Sequence, residues 1–381
     1  MKLKIPFNKP FQTGLELSYI EDAIQRGHLS GNGYYTQKCQ QYLQGKYQFG
    51  TCFLTSSCTD ALEMSAILLD IQQGDEVIVP SFTFVSTANA FALRGAKIVF
   101  VDSRKDHPNM DEDKLEDLIS SRTKAIVAVH YGGFPCDMVK ILALADQYNL
   151  IVIEDAAQAI DIFYQNRPIG SWGHLACFSF HETKNIQCGE GGMLVVNDSE
   201  FAKRAEVIWE KGTNRSSFSK GEVSKYTWVD LGSSFLPSEL NSAYLWAQLE
   251  CLGKIQERRR AIWLAYSNYF HSGSLEDSIL PYSYLENFKS EEFKAMSSIH
   301  QANSHLFYLL FENEEQRKLY IQKLEKKEIM AVFHYQSLHK SDFSKRYFPD
   351  QYRRELPHAD RFSESLLRLP LFYELPELLE N

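Results

Sequence analysis

A lysine and an aspartate are the residues whose types and surroundings point most directly to chemistry. Lys184 lies in Phe178-Ser-Phe-His-Glu-Thr-Lys-Asn185, just before the glycine-rich turn Gly189-Glu-Gly-Gly192. Upstream, Asp155 follows an apolar run within Ile153-Glu-Asp-Ala-Ala-Gln158. A neutral lysine amine can form a Schiff base with an aldehyde, and an acidic partner keeps a pyridine nitrogen protonated. Together the two residues predict that the protein uses pyridoxal phosphate.

Asp155 has two interpretations as a residue at the end of a strand. In an open parallel sheet, ligands collect at the carboxyl ends of the strands, and a buried carboxylate there needs a cationic partner such as a pyridinium nitrogen. The alternative is that Asp155 caps a helix, because it precedes Ala156-Ala-Gln158. The residue type alone leaves both interpretations open.

Small hydroxyl residues that lead into a predicted helix indicate a place for the phosphate. They lie in Thr55-Ser-Ser-Cys-Thr-Asp-Ala-Leu62. A helix start offers free backbone N–H groups and the positive end of the helix dipole, so Cys58 and Thr59 are the expected contacts. Ordinary capping of the helix by Ser57 or Thr59 is the alternative.

Two further side chains are candidates for the cofactor site. Phe84, in Pro80-Ser-Phe-Thr-Phe84, follows a predicted strand and could stack on the cofactor, although packing in the core would suit it as well. The Ser179 hydroxyl could reach a phosphate oxygen, whereas a serine in a buried strand usually bonds to the backbone.

Composition and motifs argue against several other classes of protein. The 381 residues carry a net charge of −9, which disfavours nonspecific binding to nucleic acid. Seven irregularly spaced cysteines and the absence of a signal-peptide or membrane-spanning pattern favour a cytoplasmic protein. Gly31-Asn-Gly-Tyr-Tyr-Thr36 lacks the third glycine of a dinucleotide motif. No metal site is expected, since His334 and His339 have no obvious third partner.

Strands and helices alternate along the first two-thirds of the chain. Short apolar runs predict buried parallel strands at Glu76–Val79, Lys97–Val101, Ala125–Val129, Leu150–Ile153 and Met193–Val196. Helical patterns between them cover Thr59–Leu69, Asp113–Ser120 and Met138–Tyr148. The alternation predicts an α/β domain with a mostly parallel sheet.

The pattern changes after Pro237, where a smaller α+β domain is expected. One long helix is predicted for residues 238–270, a polar loop for 271–302, a strand for 305–311, a helix for 314–328 and another strand around 329–334. We therefore predict a large domain at 1–248 and a small domain at 249–381.

Taken together, these segments resemble the DegT/DnrJ/EryC1/StrS family of pyridoxal-phosphate-dependent sugar aminotransferases. The likeness extends over nearly the whole chain, through Ile5–Pro10, His28–Gly31, Pro80–Ala90, Phe178–Asn185 and Leu367–Leu371. It implies the type I (aspartate aminotransferase) fold, with a large sheet domain and a smaller α+β domain. It also implies a homodimer with its active sites at the subunit interface.

The resemblance implies a role for each candidate cofactor residue. Lys184 would hold the cofactor covalently, Asp155 would pair with the pyridine nitrogen, and Gln158 would contact the ring hydroxyl. Cys58, Thr59 and Ser179 would hold the phosphate, Phe84 would lie against the ring, and Ser234 would reach the neighbouring subunit's phosphate.

A closer likeness concerns the substrate. Lys211–Arg215, Lys225–Trp228 and Ala331–Tyr335 resemble family members that transfer nitrogen from glutamate to C4 of a dTDP-4-keto-6-deoxyhexose. The implied product is dTDP-4-amino-4,6-dideoxygalactose, used in lipopolysaccharide or enterobacterial common antigen synthesis. The gluco epimer, amination at C3 and a non-enzymatic ligand sensor remain alternatives.

Three residues are the expected sugar contacts. Ser30 and His334 lie in family segments that approach the sugar, and Arg215 could fork onto the diphosphate. A surface position is an equally good interpretation of Arg215.

Overall fold

A seven-stranded sheet lies at the centre of the computed structural model, which describes residues 5–271 and 303–376. Its strands follow the order β1-β9-β8-β5-β4-β2-β3. They are β1 Thr51–Thr55, β2 Glu76–Pro80, β3 Lys97–Val101, β4 Thr123–Val129, β5 Ile151–Asp155, β8 Leu175–Ser179 and β9 Gly192–Val196. A small hairpin, β6 Phe163–Tyr164 and β7 Arg167–Pro168, lies outside this sheet.

The direction of the strands agrees with the sequence at four of the predicted runs. Strands β2, β3, β4 and β5 are parallel neighbours, as predicted. The parallel prediction for β9 was wrong, because this strand runs antiparallel to both β1 and β8. No helix separates β8 from β9, and a parallel return would need a longer crossover. Strands β1 and β8 were not predicted.

Helices cover the sheet and build the C-terminal part. In chain order they are α1 Glu16–Gln25, α2 Tyr34–Tyr47, α3 Cys58–Leu68, α4 Val85–Ala92, α5 Met138–Tyr148, α6 Ser199–Trp209, α7 Arg215–Ser219, α8 Glu239–Glu250, α9 Leu252–His271, α10 Glu314–Lys326, α11 Asp342–Tyr347, α12 Pro349–Tyr352 and α13 Pro357–Ser365. The prediction for α5 is confirmed residue by residue, and that for α3 is shifted by one residue. None of the helices in the described residues combines the length and the apolar composition that crossing a membrane requires.

Two helix predictions need correction. Residues 113–120 form two short 3₁₀ turns, Glu112–Lys114 and Glu116–Leu118, rather than one helix. The long helix predicted after Pro237 is divided at Cys251 into α8 and α9.

The C-terminal part contains a two-stranded antiparallel sheet, β10 Phe307–Leu310 and β11 Leu366–Leu369. The strand predicted around 329–334 is wrong, since only isolated bridges occur there, Ile5 with Ile329 and Val332 with Arg368. The predicted loop at 271–302 lies almost entirely outside the described residues. The proposed division at residue 248 stays a prediction.

Alternating side chains bury both faces of the sheet. In β2, Val77 and Val79 pack into one apolar cluster and Ile78 into the other. Ala125 and Ile126 in β4 are divided in the same way. Because both faces are covered, the strand ends are held in fixed positions along one edge of the sheet. We call this the carboxyl edge; Thr55, Pro80, Val129, Asp155, Ser179 and the first residue of β9, Gly192, lie on it.

Candidate active site

A cavity of about 850 Å³ opens at the carboxyl edge of the sheet. One wall comes from the strand ends and the starts of α3 and α4, and another from the loop between β8 and β9. The opposite wall comes from the C-terminal part, including residues 305–306, 332–335 and 368–369. The cavity therefore lies where the central sheet meets the C-terminal segments.

Asp155 is buried at the end of β5 and lines the cavity. Its Oδ2 accepts a hydrogen bond from Thr87 Oγ1 at 2.7 Å, and its Oδ1 accepts one from the backbone N–H of Ala157 at 3.2 Å. No helix begins at Asp155, so the capping alternative does not apply. Burial raises the pKa of the carboxyl group, and the two hydrogen bonds oppose that rise.

A second threonine extends the support for Asp155. The hydroxyl groups of Thr87 and Thr83 lie 2.9 Å apart, and both residues are buried. Among the described residues, no lysine or arginine forms an ion pair with Asp155. The carboxylate is thus oriented by neutral donors, while its charge is left for a cationic ligand.

Lys184 lies in the loop between β8 and β9 and lines the same cavity. Its backbone N–H donates to the carbonyl oxygen of His181 at 2.9 Å. In the described part of the chain, its Nζ takes part in no hydrogen bond or ion pair. Burial lowers the pKa of the amine, opposed by the negative charge of Asp155 and assisted by the positive charge of Arg368. A lowered pKa favours the neutral amine that nucleophilic chemistry requires.

Asn185 fixes the backbone next to that lysine. Its Nδ2 donates to Gln256 Oε1 and to the carbonyl oxygen of Asn303, both at 2.8 Å. Its Oδ1 is 2.9 Å from His305 Nδ1, whose ring nitrogen must therefore be the donor. The loop that carries Lys184 is held against α9 and the C-terminal part by these buried bonds.

The start of α3 forms the end of the cavity expected to bind phosphate. Ser57 caps the helix, with its Oγ accepting from the N–H of Asp60 at 3.0 Å. Thr59 Oγ1 lies 2.8 Å from Ser86 Oγ, and burial raises the pKa of the Cys58 thiol well above its usual value. The capping interpretation of Ser57 is thus realised, yet the first residues of the helix still line the cavity.

Gly192 brings the backbone of β9 against this helix start. A side-chain Cβ at this position would come within 2.3 Å of the Ser57 carbonyl carbon and 2.4 Å of the Cys58 nitrogen. Only glycine permits such a close approach between the two backbones. Ser179 lies nearby on the cavity wall, and its Oγ accepts a weak hydrogen bond from His181 N at 3.4 Å. The glycine-rich turn thus shapes the end of the cavity beneath α3.

Aromatic rings and an amide line the other side of the cavity. Phe84 is exposed, with its ring centroid 6.1 Å from that of Tyr335. The ring of His334 stacks on Tyr335 at 3.6 Å, and its Nδ1 shares a 2.6 Å hydrogen bond with the hydroxyl of Tyr131. Burial holds the pKa of His334 well below its usual value, so its ring is neutral. Gln158 Nε2 donates to the Tyr335 hydroxyl at 2.9 Å, and its Oε1 accepts from a backbone N–H at 2.6 Å.

Most of the expected site residues meet in this cavity, and three do not. Those that line it are Cys58, Thr59, Phe84, Asp155, Gln158, Ser179, Lys184 and His334. Ser30, Arg215 and Ser234 are exposed and lie outside the lining. Ser30 Oγ is instead 3.3 Å from His28 Nε2, and Arg215 begins the short helix α7.

Several residues of the site have no role in the sequence interpretation. Thr87, Tyr335 and Arg368 line the cavity. Each lies within a segment that carries the family resemblance, but the sequence assigned none of them a role. Thr83 and Thr87 follow a strand and are spaced by one helical turn, and this spacing is the signal that could have identified Thr87. For Tyr335 and Arg368 no comparable local signal exists.

The lining residues fit pyridoxal phosphate at each of its functional groups. The unbonded amine of Lys184 suits the aldehyde, the unpaired carboxylate of Asp155 suits the pyridine nitrogen, and the start of α3 suits the phosphate. This site, on a large mostly parallel sheet, defines a pyridoxal-phosphate enzyme of the type I (aspartate aminotransferase) fold.

Comparison with known proteins makes the assignment more specific. The chain belongs to the DegT/DnrJ/EryC1/StrS aminotransferase family, whose model matches residues 12–377. It is 32% identical over 329 residues to an uncharacterized protein of Methanocaldococcus jannaschii, a match that covers 84% of this chain and 81% of the relative. Members of the family depend on pyridoxal phosphate and act as aminotransferases.

Solved structures agree over almost the full length. Spr1654 of Streptococcus pneumoniae, provisionally assigned as a sugar aminotransferase and solved in its PMP form, has 26% identity and a TM-score of 0.83, covering 98% of this chain and 94% of that one. A family aminotransferase from Brucella abortus has 27% identity and a TM-score of 0.79, covering 96% and 92%. The similarity thus includes both the sheet and the C-terminal part.

Proposed function

We propose that this protein transfers an amino group from L-glutamate to C4 of a dTDP-4-keto-6-deoxyhexose and forms dTDP-4-amino-4,6-dideoxygalactose. The observation that carries the proposal is the cavity in which the unbonded amine of Lys184 shares one space with the oriented carboxylate of Asp155. The same cavity is wide enough, at about 850 Å³, to admit a sugar beside a cofactor.

The chemistry divides between the cofactor and the chain. Pyridoxal phosphate, when bound, supplies the aldehyde that carries nitrogen and a ring that withdraws electrons. Lys184 Nζ removes a proton from the carbon of the donor and later delivers one to C4 of the sugar, and its lowered pKa favours the neutral amine that the first of these steps needs. Asp155 keeps the ring nitrogen protonated, and Thr87 holds that carboxylate in place.

The preference for C4 and for the galacto product rests on the closer likeness of three segments. Of these, 331–335 contributes Val332, Phe333, His334 and Tyr335 to the cavity wall, where they can contact a sugar. The neutral ring of His334 offers Nε2 to a sugar hydroxyl, since Nδ1 is engaged by Tyr131. Such a product would serve a surface glycan such as enterobacterial common antigen.

One incubation tests the proposal. The purified holoenzyme is mixed with L-glutamate and dTDP-4-keto-6-deoxyglucose, and the product is analysed by NMR. An axial amine at C4 supports the galacto product, whereas an equatorial amine assigns the gluco epimer. If no amine forms, the same assay with the 3-keto isomer decides whether the enzyme acts at C3. Absence of transfer to either sugar rejects the proposed substrate.

We further propose a homodimer in which Ser234 reaches the phosphate site of the neighbouring subunit. Large apolar side chains that precede Ser234 in the sequence are exposed in the single chain: Tyr226 at 54%, Trp228 at 76% and Leu231 at 48% of their surface. Several large exposed apolar residues in one short segment are typical of a protein interface. Light scattering of the wild-type protein and of Trp228→Ser should give a dimer and a weakened dimer, and a wild-type monomer would contradict this.

The cellular location is also a proposal. All seven cysteines are free, and Cys39, Cys52, Cys136, Cys177 and Cys188 are buried. Free thiols are typical of a reducing compartment, so we propose that the enzyme acts in the cytoplasm. Fluorescence microscopy of the tagged protein, or cell fractionation, would test this assignment.

A further inference from the structure

Arg368 is a cation of the cavity wall that the proposed reaction does not yet use. It lies in β11, paired with Tyr308 of β10 and bridged to Val332, and its side chain is half-buried. The guanidinium carbon is 4.7 Å from the centroid of the Phe7 ring, and Nη2 donates to the carbonyl oxygen of Phe333 at 3.1 Å. The guanidinium is thus held in a defined position beside the cavity.

The charge of Arg368 has no counter-ion in the described part of the chain. Its Nε is shielded from solvent and has no hydrogen-bond acceptor there, and its Nη1 takes part in no hydrogen bond. Burial lowers the pKa of the guanidinium, as expected for a cation that lacks a carboxylate partner. A shielded cation with unused donors is unfavourable unless an anion completes its environment.

Arg259 is a useful contrast within the same cavity. It is buried, and its Nε donates to the Ser304 carbonyl oxygen at 3.2 Å and its Nη2 to the His305 carbonyl oxygen at 2.6 Å. Arg259 therefore has a structural explanation, since it holds the backbone at 304–305. Arg368 retains donors for which this part of the chain offers no acceptor.

We infer that Arg368 binds the α-carboxylate of the amino donor. A guanidinium presents its N–H groups in a planar fork that matches a carboxylate. The α-carboxylate is attached to the carbon that exchanges nitrogen and must lie close to the amine of Lys184. The diphosphate of a sugar nucleotide is attached at C1, across the sugar ring from C4, and therefore lies farther from the reacting atoms.

The electrostatic contacts of Arg368 agree with a place near the reacting atoms. Its charge contributes to lowering the pKa of the Lys184 amine and the pKa of His334. The phosphate of the cofactor has a separate position at the start of α3, so it does not account for Arg368. A keto-sugar carries no carboxylate at its reacting carbon, so Arg368 distinguishes the donor from the acceptor.

This inference rests on the proposed aminotransferase function, but its test needs no sugar. Glutarate serves as the probe, because it carries the carboxylates of glutamate without the amine and cannot react. Isothermal titration of the holoenzyme measures glutarate binding, and stopped-flow absorbance of the cofactor measures reaction with glutamate. The variants are Arg368→Gln, Arg368→Lys and, as a matched control, the exposed Arg353→Gln.

We expect Arg368→Gln to weaken glutarate binding on the order of a hundredfold and to raise the glutamate concentration for half-maximal rate similarly. Arg368→Lys keeps the charge without the fork and should lie between this variant and wild type. Binding of dTDP should be unchanged in all variants, and Arg353→Gln should behave as wild type.

Two results would overturn the inference. One is unchanged glutarate binding in Arg368→Gln; the other is a loss of dTDP binding with glutarate binding intact, which would assign the guanidinium to the diphosphate. If Arg368→Gln does not fold, equal glutarate affinity in Arg368→Lys and wild type has the same consequence. A wild-type enzyme that reacts with glutamate but with no keto-sugar would reject the proposed acceptor and leave these measurements valid.

Discussion

The hydrogen bond from Thr87 to Asp155 allows a quantitative prediction about the carboxylate that is proposed to pair with the cofactor nitrogen. Thr87→Val removes the hydroxyl group but nearly keeps the shape of the side chain. The lost bond joins a neutral donor to a buried carboxylate at 2.7 Å. Hydrogen bonds to charged groups contribute about 1.5–3 kcal/mol, so the pKa of Asp155 should rise by about one to two units.

The direction of the effect follows from the existing balance of forces. Burial already raises the pKa of Asp155, and the Thr87 bond is the largest contribution that opposes it. Without this bond the carboxyl group holds its proton to higher pH and is less able to keep the cofactor nitrogen protonated. The reaction with glutamate should slow about ten- to a hundredfold, and its acidic limb should move to higher pH.

Stopped-flow absorbance of the bound cofactor after mixing with glutamate, repeated over a pH series, measures both effects. Thr87→Ser keeps a hydroxyl group and should stay close to wild type. Thr83→Val removes the hydroxyl group that contacts Thr87 and leaves the bond from Thr87 to Asp155, so its effect on the rate should be smaller. Equal rates for Thr87→Val and Thr87→Ser at every pH would refute the reasoning, provided that both variants retain the cofactor.

Three further variants test other parts of the site. Lys184→Ala should abolish turnover, yet its cofactor-free form should be at least as stable as wild type at neutral pH. Burial lowers the pKa of the wild-type amine below 10.5, so the cost of burying the charged amine disappears only as the pH rises towards that value. Equal urea unfolding curves of the wild-type protein at neutral and high pH would contradict this. Gly192→Ala should weaken cofactor binding, measured by dialysis and absorbance, because its Cβ would meet the Cys58 nitrogen at 2.4 Å; Gly253→Ala, with open space around it, is the control and should not. Ser57→Ala should lower the free energy of unfolding by about 1 kcal/mol through loss of the helix cap, and an unchanged urea midpoint would argue against that role.

Local patterns in the sequence were sufficient for the parallel core of the sheet. The runs that became β2 to β5 are short, apolar and bounded by polar residues, and a strand buried on both faces requires such composition. The apolar run of β9 has the same composition, although its direction is opposite. The composition of a strand does not determine whether it runs parallel or antiparallel to its neighbours. For β9 the short connection from β8 determines the direction, and the sequence patterns did not predict β8.

The candidate site divides along the same line. The sequence around Lys184 and Asp155 was sufficient to predict their chemistry, and both residues line the cavity. Ser30, Arg215 and Ser234 were assigned by resemblance, and the single chain places them elsewhere, so their roles remain predictions. Arg368 lines the cavity, and its strand β11 is bridged to Val332, a contact between distant parts of the chain that no local pattern reveals.

The two central residues also explain why a ligand is needed to complete this site. Burial raises the pKa of Asp155 and lowers the pKa of Lys184, so each residue is driven towards its neutral form. A direct ion pair would relieve both effects, yet none joins these residues in the described structure. The absence of an ion pair between Asp155 and Lys184 is therefore explained if a third group lies between them, one that presents a cation to the carboxylate and bonds covalently to the amine. Pyridoxal phosphate satisfies both requirements with a single ring, which is why these two shifts, taken together, support its binding more strongly than either residue does alone.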